Sequence, residues 1–181
     1  AAKFFTGRCL EAVGQRLEAR MTYEELIATP QDNPFLNNSR LSYALLLKDA
    51  QRTAEALKQI QVLAEQADDP EMKAQALVYS GLWQIELGQA AKAEANLKSA
   101  LEMSSVARWR DVALLGLMQL GFNAEKYQEV LDLWTANAAS FTPETRPQAM
   151  ALVARAYGAV GKSDESFQTF DQISQLFPGS V

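Results

Sequence analysis

The amino-acid sequence predicts an all-α fold, a right-handed superhelical solenoid of about five antiparallel helix–turn–helix units. One spacing pattern recurs five times along the 181 residues, with steps of 37, 37, 37 and 36 residues between copies. No segment keeps the alternation of apolar and polar residues that is typical of strands. No low-complexity stretch or long linker divides the chain, so we expect ten helices in a single domain covering residues 1–181.

The repeated pattern is clearest in Gly81–Leu101, which reads as a helix, a turn at Gly88 and a second helix. Four positions define the pattern, each at a fixed distance from the one before it. The first-helix position holds Gly7, Ala44, Gly81, Met118 and Ala154, and the turn position, seven residues later, holds Gly14, Gln51, Gly88, Glu125 and Gly161. The second-helix position, five further on, holds Ala19, Ala56, Ala93, Val130 and Ser166, and the wedge position, four beyond it, holds Tyr23, Ile60, Leu97, Trp134 and Phe170.

This spacing has a physical reading. A small first-helix residue lets the second helix approach closely, and glycine at the turn can adopt the positive φ that commonly ends a helix. The large wedge residue lies one turn beyond the small second-helix residue, on the same face, and fills the space between one unit and the next. We therefore expect Tyr23, Trp134 and Phe170 in the core. One unit cannot bury its own apolar face, so the units must stack.

The units are expected at approximately residues 1–36, 37–73, 74–110, 111–146 and 147–181. Prolines in the segment 28–34 end the first unit, with Asn38 or Ser39 as the N-cap of the next helix. Asp68–Pro70 is a clear break, and Pro70 suits the first turn of a helix. Thr142 is expected to cap a later helix, followed by a first-turn proline.

Composition excludes several classes of function. The chain has no histidine, which excludes a histidine-dependent catalytic triad, a histidine-ligated metal and a histidine general base. Its single cysteine, Cys9, cannot form an internal disulfide; we expect it to be a small buried side chain, since a nucleophile would need a base partner. The net charge of -5 argues against a nucleic-acid partner. No apolar run approaches the length of a transmembrane helix, so we expect no membrane insertion, and no motif indicates a cofactor, a metal or catalysis.

The pattern resembles the tetratricopeptide repeat (TPR). The fifth unit carries the likeness best, and its matching residues are Ala156, Tyr157, Gly161, Ser166, Phe170 and Pro178. The third unit matches through Gly81, Gly88, Ala93, Leu97 and Ala100. The last unit is also similar to repeats in bacterial envelope proteins, such as the Tol–Pal-associated coordinator and outer-membrane assembly lipoproteins. That likeness favours the bacterial envelope only weakly, and the localisation stays open.

The resemblance implies a binding groove, because the first helix of each TPR unit lines the concave face. Carrying the family's groove positions onto this chain gives a candidate partner-binding groove, which is apolar in its middle. Its residues are Leu41, Leu45, Lys48, Val78, Leu82, Ile85, Leu115, Gln119, Phe122 and Arg155. We expect a non-catalytic scaffold or adaptor that binds an amphipathic or apolar segment of another protein.

Several alternatives remain open. The apolar strip is either a binding surface, or core, or a surface covered by another segment of the same protein. A second alternative is that the chain is a helical accessory region of a larger bacterial envelope complex or enzyme. A third is that it self-associates through the uncapped C-terminal repeat. Trp83 is expected between helices, and Trp109 is either an exposed anchor or packed under the preceding repeat.

Overall fold

The chain is all-helical. A computed structural model describes residues 1–29 and 33–179, and those residues form ten α-helices and no strand. The helices are α1 (Ala2–Ala12), α2 (Arg16–Ala28), α3 (Leu36–Asp49), α4 (Thr53–Gln66), α5 (Pro70–Glu86), α6 (Ala90–Met103), α7 (Ala107–Asn123), α8 (Tyr127–Asn137), α9 (Arg146–Ala159) and α10 (Ser163–Leu176). Each helix packs on the next, and α5, α7 and α9 also pack on one another in series. The predicted solenoid of helix pairs is confirmed.

Within each pair, the turn has one backbone conformation. All five turn-position residues have positive φ, at 79° in Gly14, 60° in Gln51, 71° in Gly88, 59° in Glu125 and 80° in Gly161. At each of these turns two backbone hydrogen bonds close the helix end, as at Gly88, where Gly88 N–H donates to Ile85 O (3.0 Å) and Gln89 N–H donates to Gln84 O (2.8 Å). This pair of bonds defines a Schellman motif. The repeat register therefore places the turn correctly even where the residue is not glycine.

The small residues allow close helix approach. A Cβ added at Gly81 would lie 2.6 Å from Leu97 Cγ, and one added at Gly7 would lie 2.6 Å from Tyr23 Cε1. The second-helix residues Ala19, Ala56, Ala93 and Val130 are all 0% exposed. The wedge residues Tyr23, Ile60 and Leu97 are equally buried.

Three apolar clusters follow one another along the solenoid. The first extends from Phe4 to Trp83, the second contains Val78, Leu97, Ala113 and Leu117, and the third extends from Leu114 to Ala156. Leu82 packs against the first two clusters, and Leu101 and Leu133 pack against the second and third. The core is thus a continuous ribbon shared between neighbouring units.

Polar contacts fix the connections between units. Glu71, in the first turn of α5, accepts hydrogen bonds from the hydroxyls of Ser104 and Ser105 at 2.7 Å each. Asp111, 1% exposed in α7, accepts bonds on Oδ2 from the backbone N–H of Thr142 (2.9 Å) and from the hydroxyls of Thr142 (2.8 Å) and Thr145. In both cases an acid near the start of one first helix holds the segment that leads into the next first helix.

Other predicted details are wrong. The wedge residue Phe170 is 44% exposed, because no described helix covers the outer face of α10. Trp134 is half-buried: it packs against the third cluster, with its ring centroid 5.8 Å from that of Phe141, and part of its surface stays exposed. Cys9 is exposed, since no described helix covers that side of α1.

Two of the expected helix caps are also wrong. The helix α3 begins at Leu36, ahead of Asn38 and Ser39, and α9 begins at Arg146 because Thr142 is held by Asp111. The predicted helix start at Pro70 is confirmed, since α5 begins there. The cap is Asp69, which accepts hydrogen bonds from the backbone N–H groups of Glu71 and Met72 at 3.3 Å each. Pro30 and Ser180, at the expected unit ends, lie outside the described residues.

Candidate groove on the inner helices

The odd-numbered helices from α3 to α9 carry the candidate groove. Contacts of α7 with both α5 and α9 bring these helices together, whereas α6 and α8 are separated by an open cavity. The odd-numbered helices therefore lie on the inner side of the solenoid curve. The sequence-predicted groove residues on them occur at helical spacing, so most share one face of each helix.

Most of the predicted groove residues are half-buried. This set is Leu41, Leu45, Lys48, Leu82, Ile85, Leu115, Gln119 and Phe122, and Arg155 is exposed. The leucines, Ile85 and Phe122 pack against the apolar clusters with part of their surface and show the rest. The strip is thus simultaneously the outer layer of the core and an apolar surface.

The prediction that Val78 lines the groove is wrong. It is 0% exposed and belongs to the cluster with Leu97 and Ala113, because α7 packs on that side of α5. Its neighbour Tyr79 is half-buried instead, with its ring 5.6 Å from that of Trp83 and 5.7 Å from that of Trp109. Trp83 is 4% exposed, as expected for a residue between helices. Trp109 packs on the preceding unit through Tyr79, which excludes the reading of a free anchor.

The two cationic groove residues already have partners from neighbouring helices. Lys48 Nζ of α3 lies 2.7 Å from Glu86 Oε2 of α5, and the Lys48 side chain is 24% exposed. The guanidinium of Arg155 in α9 lies 4.2 Å from the ring centroid of Phe122 in α7, a distance at which cations are attracted to aromatic faces. Between them, Gln119 Nε2 donates to Asn123 Oδ1 at 2.6 Å. The sequence reading missed Glu86 and Asn123, although both follow groove residues directly.

A cavity of about 620 Å³ lies on the opposite side, between α6 and α8. Leu117, Leu120, Gly121 and Leu133 contribute apolar surface to it. Its rim carries two ion pairs, Lys98–Glu94 at 2.6 Å and Lys126–Glu129 at 3.1 Å. The hydrogen bond from Lys98 lowers the pKa of Glu94. The repeat pattern did not predict this cavity, because its walls are the small, exposed residues Ala90, Ala91 and Ala136, which carry no distinctive signal.

Residues 1–29 and 33–179 contain no group of three or more His, Cys, Asp or Glu residues placed to hold a metal ion. No helix in those residues combines the length and apolar character needed to cross a bilayer.

Solved structures show the same fold. The MamA protein superimposes with a TM-score of 0.78 at 14% identity, covering 97% of this chain and 90% of that one. The Pseudomonas aeruginosa protein pilF gives 0.76 at 17% identity over 99% and 77% of the two chains. YrrB, described as a TPR protein with an unusual peptide-binding site, gives 0.67 at 12% identity over 98% and 86%. The chain therefore has the TPR fold. No protein-family model matches it, and no curated protein matches its sequence.

Proposed function

We propose that this protein is a non-catalytic protein-interaction module that binds an amphipathic segment of another protein on its inner helices. The observation that supports this is the row of half-buried apolar side chains across α3, α5 and α7, bounded by Lys48 and Arg155. A partly exposed apolar row with polar ends is a typical protein-binding surface. A peptide-binding site in a protein of the same fold, YrrB, is consistent with this role.

The charges indicate what the bound segment looks like. Arg155 is exposed although it stacks on Phe122, so its guanidinium can donate hydrogen bonds to a carboxylate and stay on the ring. Lys48 is neutralised by Glu86. We therefore expect apolar side chains of the ligand over Leu82, Ile85 and Leu115, and an acidic residue at the α9 end.

A peptide library tests this proposal. Binders are selected from a phage-displayed random peptide library, and their affinity for the purified chain is measured by fluorescence polarisation. Arg155→Glu is expected to weaken binding by more than about tenfold, since it reverses a charge in contact with the ligand. Lys92→Glu, an exposed change on α6, is the matched charge-reversal control and should leave affinity unchanged.

The cavity between α6 and α8 is the competing site, favoured by its volume of about 620 Å³. Replacing the exposed Ala91 by Trp would fill it. If Ala91→Trp abolishes peptide binding while Arg155→Glu does not, the ligand binds in the cavity and the inner-face proposal is wrong. If no selected peptide binds the purified chain, the protein-binding proposal itself fails.

A location in the bacterial envelope, as an assembly region of a larger complex, is a further part of the proposal. It rests on the likeness of the last unit, residues 156–180, to repeats in envelope proteins. Fractionation of native cells with an antibody against this chain tests it: recovery with the cytoplasm would contradict it.

A further inference from the structure

The cavity between α6 and α8 results from a local change in the repeat. The repeat register gives each residue of its walls a counterpart in the gap between α4 and α6 and in the gap between α8 and α10. Between α4 and α6, the counterparts of Glu94 and Leu120 are Leu57 and Trp83. These two side chains are 6% and 4% exposed and belong to the first apolar cluster. The cavity therefore lacks a large ring and a buried leucine that the preceding gap contains.

A polar contact also closes the gap between α4 and α6. Asn96 Nδ2 of α6 donates to Gln84 Oε1 of α5 at 2.9 Å, and Gln84 is 1% exposed. The counterparts at the cavity are Leu133 and Gly121, which cannot form this hydrogen bond. An apolar wall thus replaces a hydrogen-bonded pair at the same place.

The gap between α8 and α10 contains an aromatic ring as well. Tyr157, the counterpart of Gly121, is half-buried against the third apolar cluster. Lys162 Nζ lies 5.8 Å from the centroid of the Tyr157 ring, a distance at which a cation is attracted to an aromatic face. The counterpart of Lys162 at the rim of the cavity is Lys126. An aromatic ring in the cavity would therefore meet the same surroundings as Tyr157.

The size and walls of the cavity are those of a small-molecule site. Its volume of about 620 Å³ lies within the range of about 300–1,000 Å³ that such sites occupy. Leu117, Leu120 and Leu133 form apolar walls, and the charged side chains lie at the rim. Because both neighbouring gaps contain an aromatic ring, an aromatic ligand fits this space best.

The charges at the rim favour a ligand with a cationic group. Both lysines of the rim are already paired with a glutamate, in the two ion pairs described above. Asp132 is the third acid of the rim, and its Oδ1 accepts a hydrogen bond from the neutral Gln128 Nε2 at 2.8 Å. Asp132 has no cationic partner among the described residues. An ammonium group can therefore pair with Asp132 and leave both ion pairs intact.

We propose that the cavity between α6 and α8 binds a small aromatic amine. The ring of the ligand occupies the place that Trp83 and Tyr157 fill in the neighbouring gaps, and its ammonium group pairs with Asp132. The cavity lies on the opposite side of the solenoid from the groove, so the two sites can be occupied independently.

Tryptamine, an indole ring with a primary ammonium group, is the probe. Titration into the ¹⁵N-labelled 181-residue chain should give saturable shift changes at the amides of Leu120, Gly121 and Ala136. The expected Kd is about 1 mM or lower, as for a probe of about a dozen non-hydrogen atoms. Indole-3-propionate has the same ring and a carboxylate, and it should bind at least about tenfold more weakly because the carboxylate faces Asp132.

A filled cavity tests the site of binding. The double variant Glu94→Leu/Leu120→Trp gives the cavity the residues Leu57 and Trp83 of the preceding gap. It should weaken tryptamine binding by more than about tenfold, because the new ring takes the place of the ligand. The fold should be retained in circular dichroism, since the same two side chains are buried one unit earlier. Leu87→Trp makes the matching change at an exposed position outside the cavity and should leave the affinity unchanged.

A charge-neutral variant tests the ammonium contact. Asp132→Asn should weaken tryptamine binding about two- to fivefold, the contribution of an exposed ion pair. Asp171→Asn is the matched control and should have no effect, because Asp171 is also exposed and accepts a hydrogen bond from a glutamine side chain, Gln175 Nε2 at 2.7 Å.

Three results would overturn the proposal. They are equal affinity for tryptamine and indole-3-propionate, unchanged tryptamine binding by the double variant, and no saturable binding of tryptamine below about 10 mM. None of them bears on the groove, because peptide binding there is tested separately through Arg155→Glu.

Discussion

Replacing Gln51 by glycine is expected to stabilise the protein by about 0.5–1 kcal/mol. Gln51 has a φ of 60°, a conformation that costs a residue with a Cβ about 1–2 kcal/mol. Glycine removes that cost but loses more conformational entropy on folding, which offsets about 0.5–1 kcal/mol. The Gln51 side chain is exposed and makes no hydrogen bond or ion pair with any described residue, so its removal costs nothing further.

The reverse substitution, Gly88→Gln, should destabilise the protein by a similar amount. Gly88 has a φ of 71°, and a Cβ added there meets no atom within 4 Å, so only the backbone conformation opposes the change. Gln51→Ala is the matched control, because it removes the side chain and keeps the unfavourable φ; its stability should equal that of the unmodified chain.

Urea unfolding followed by circular dichroism measures these differences, and a stabilisation of this size raises the melting temperature by about 1–4 °C in a chain of this length. Solenoids often unfold in stages, so hydrogen exchange at the amides of α3 and α4 should be measured in the same variants as well. If Gln51→Gly lowers stability, or if Gln51→Ala stabilises as much as glycine does, positive φ is not the source of the effect.

Other residues give equally direct tests. Gly81→Ala should destabilise the fold by about 1–3 kcal/mol in urea unfolding, because the added methyl group overlaps a buried leucine and outweighs the gain in helix propensity. Asp111→Ala should cost about 1–3 kcal/mol in the same assay, because it leaves the backbone N–H and hydroxyl donors that Asp111 binds without their acceptor. Hydrogen bonds from Ser105 and Ser104 lower the pKa of Glu71 below its ordinary value of 4.5. The difference in urea midpoint between the unmodified chain and Glu71→Gln should therefore be present at neutral pH, and it should be lost as the pH falls from the pKa of the unfolded carboxyl through the lower pKa of the folded one. Cys9 should react with a maleimide in the folded protein as fast as in urea, because it is exposed.

The sequence carries the repeat architecture almost completely. The spacing between Gly81 and Leu97 follows from helix geometry alone, because sixteen residues with a turn between them bring a small and a large side chain face to face. The same register located positive φ at Gln51 and Glu125, where composition gives no hint of it. Periodicity predicts the fold because every unit packs its two helices through the same positions.

Positions at the ends of the array and on helix boundaries could not be predicted in the same way. Cys9 and Phe170 have the residue types of a core, but their burial depends on a neighbouring unit, which a single repeat cannot reveal. Val78 and Tyr79 differ by one position, or about 100° around a helix, and the side of α5 on which α7 packs decides which of them is fully buried. The bond between Asp111 and Thr142 joins residues 31 positions apart, and it moves the start of a helix against the local capping signal.

The hydrogen bonds that Glu71 and Asp111 make to the segments after α6 and α8 limit where repeats can be cut and exchanged. A repeat exchanged as residues 74–110 would separate Glu71 from Ser104 and Ser105, and the transplanted hairpin would arrive without the anchor of its own C-terminal connection. A segment cut at residues 70 and 106 keeps both ends of that link together, and one cut at 107 and 145 does the same for Asp111. The unit that can be exchanged therefore runs from the first turn of one inner helix to the last residue before the next inner helix. Repeats should be shuffled, inserted or removed with these boundaries.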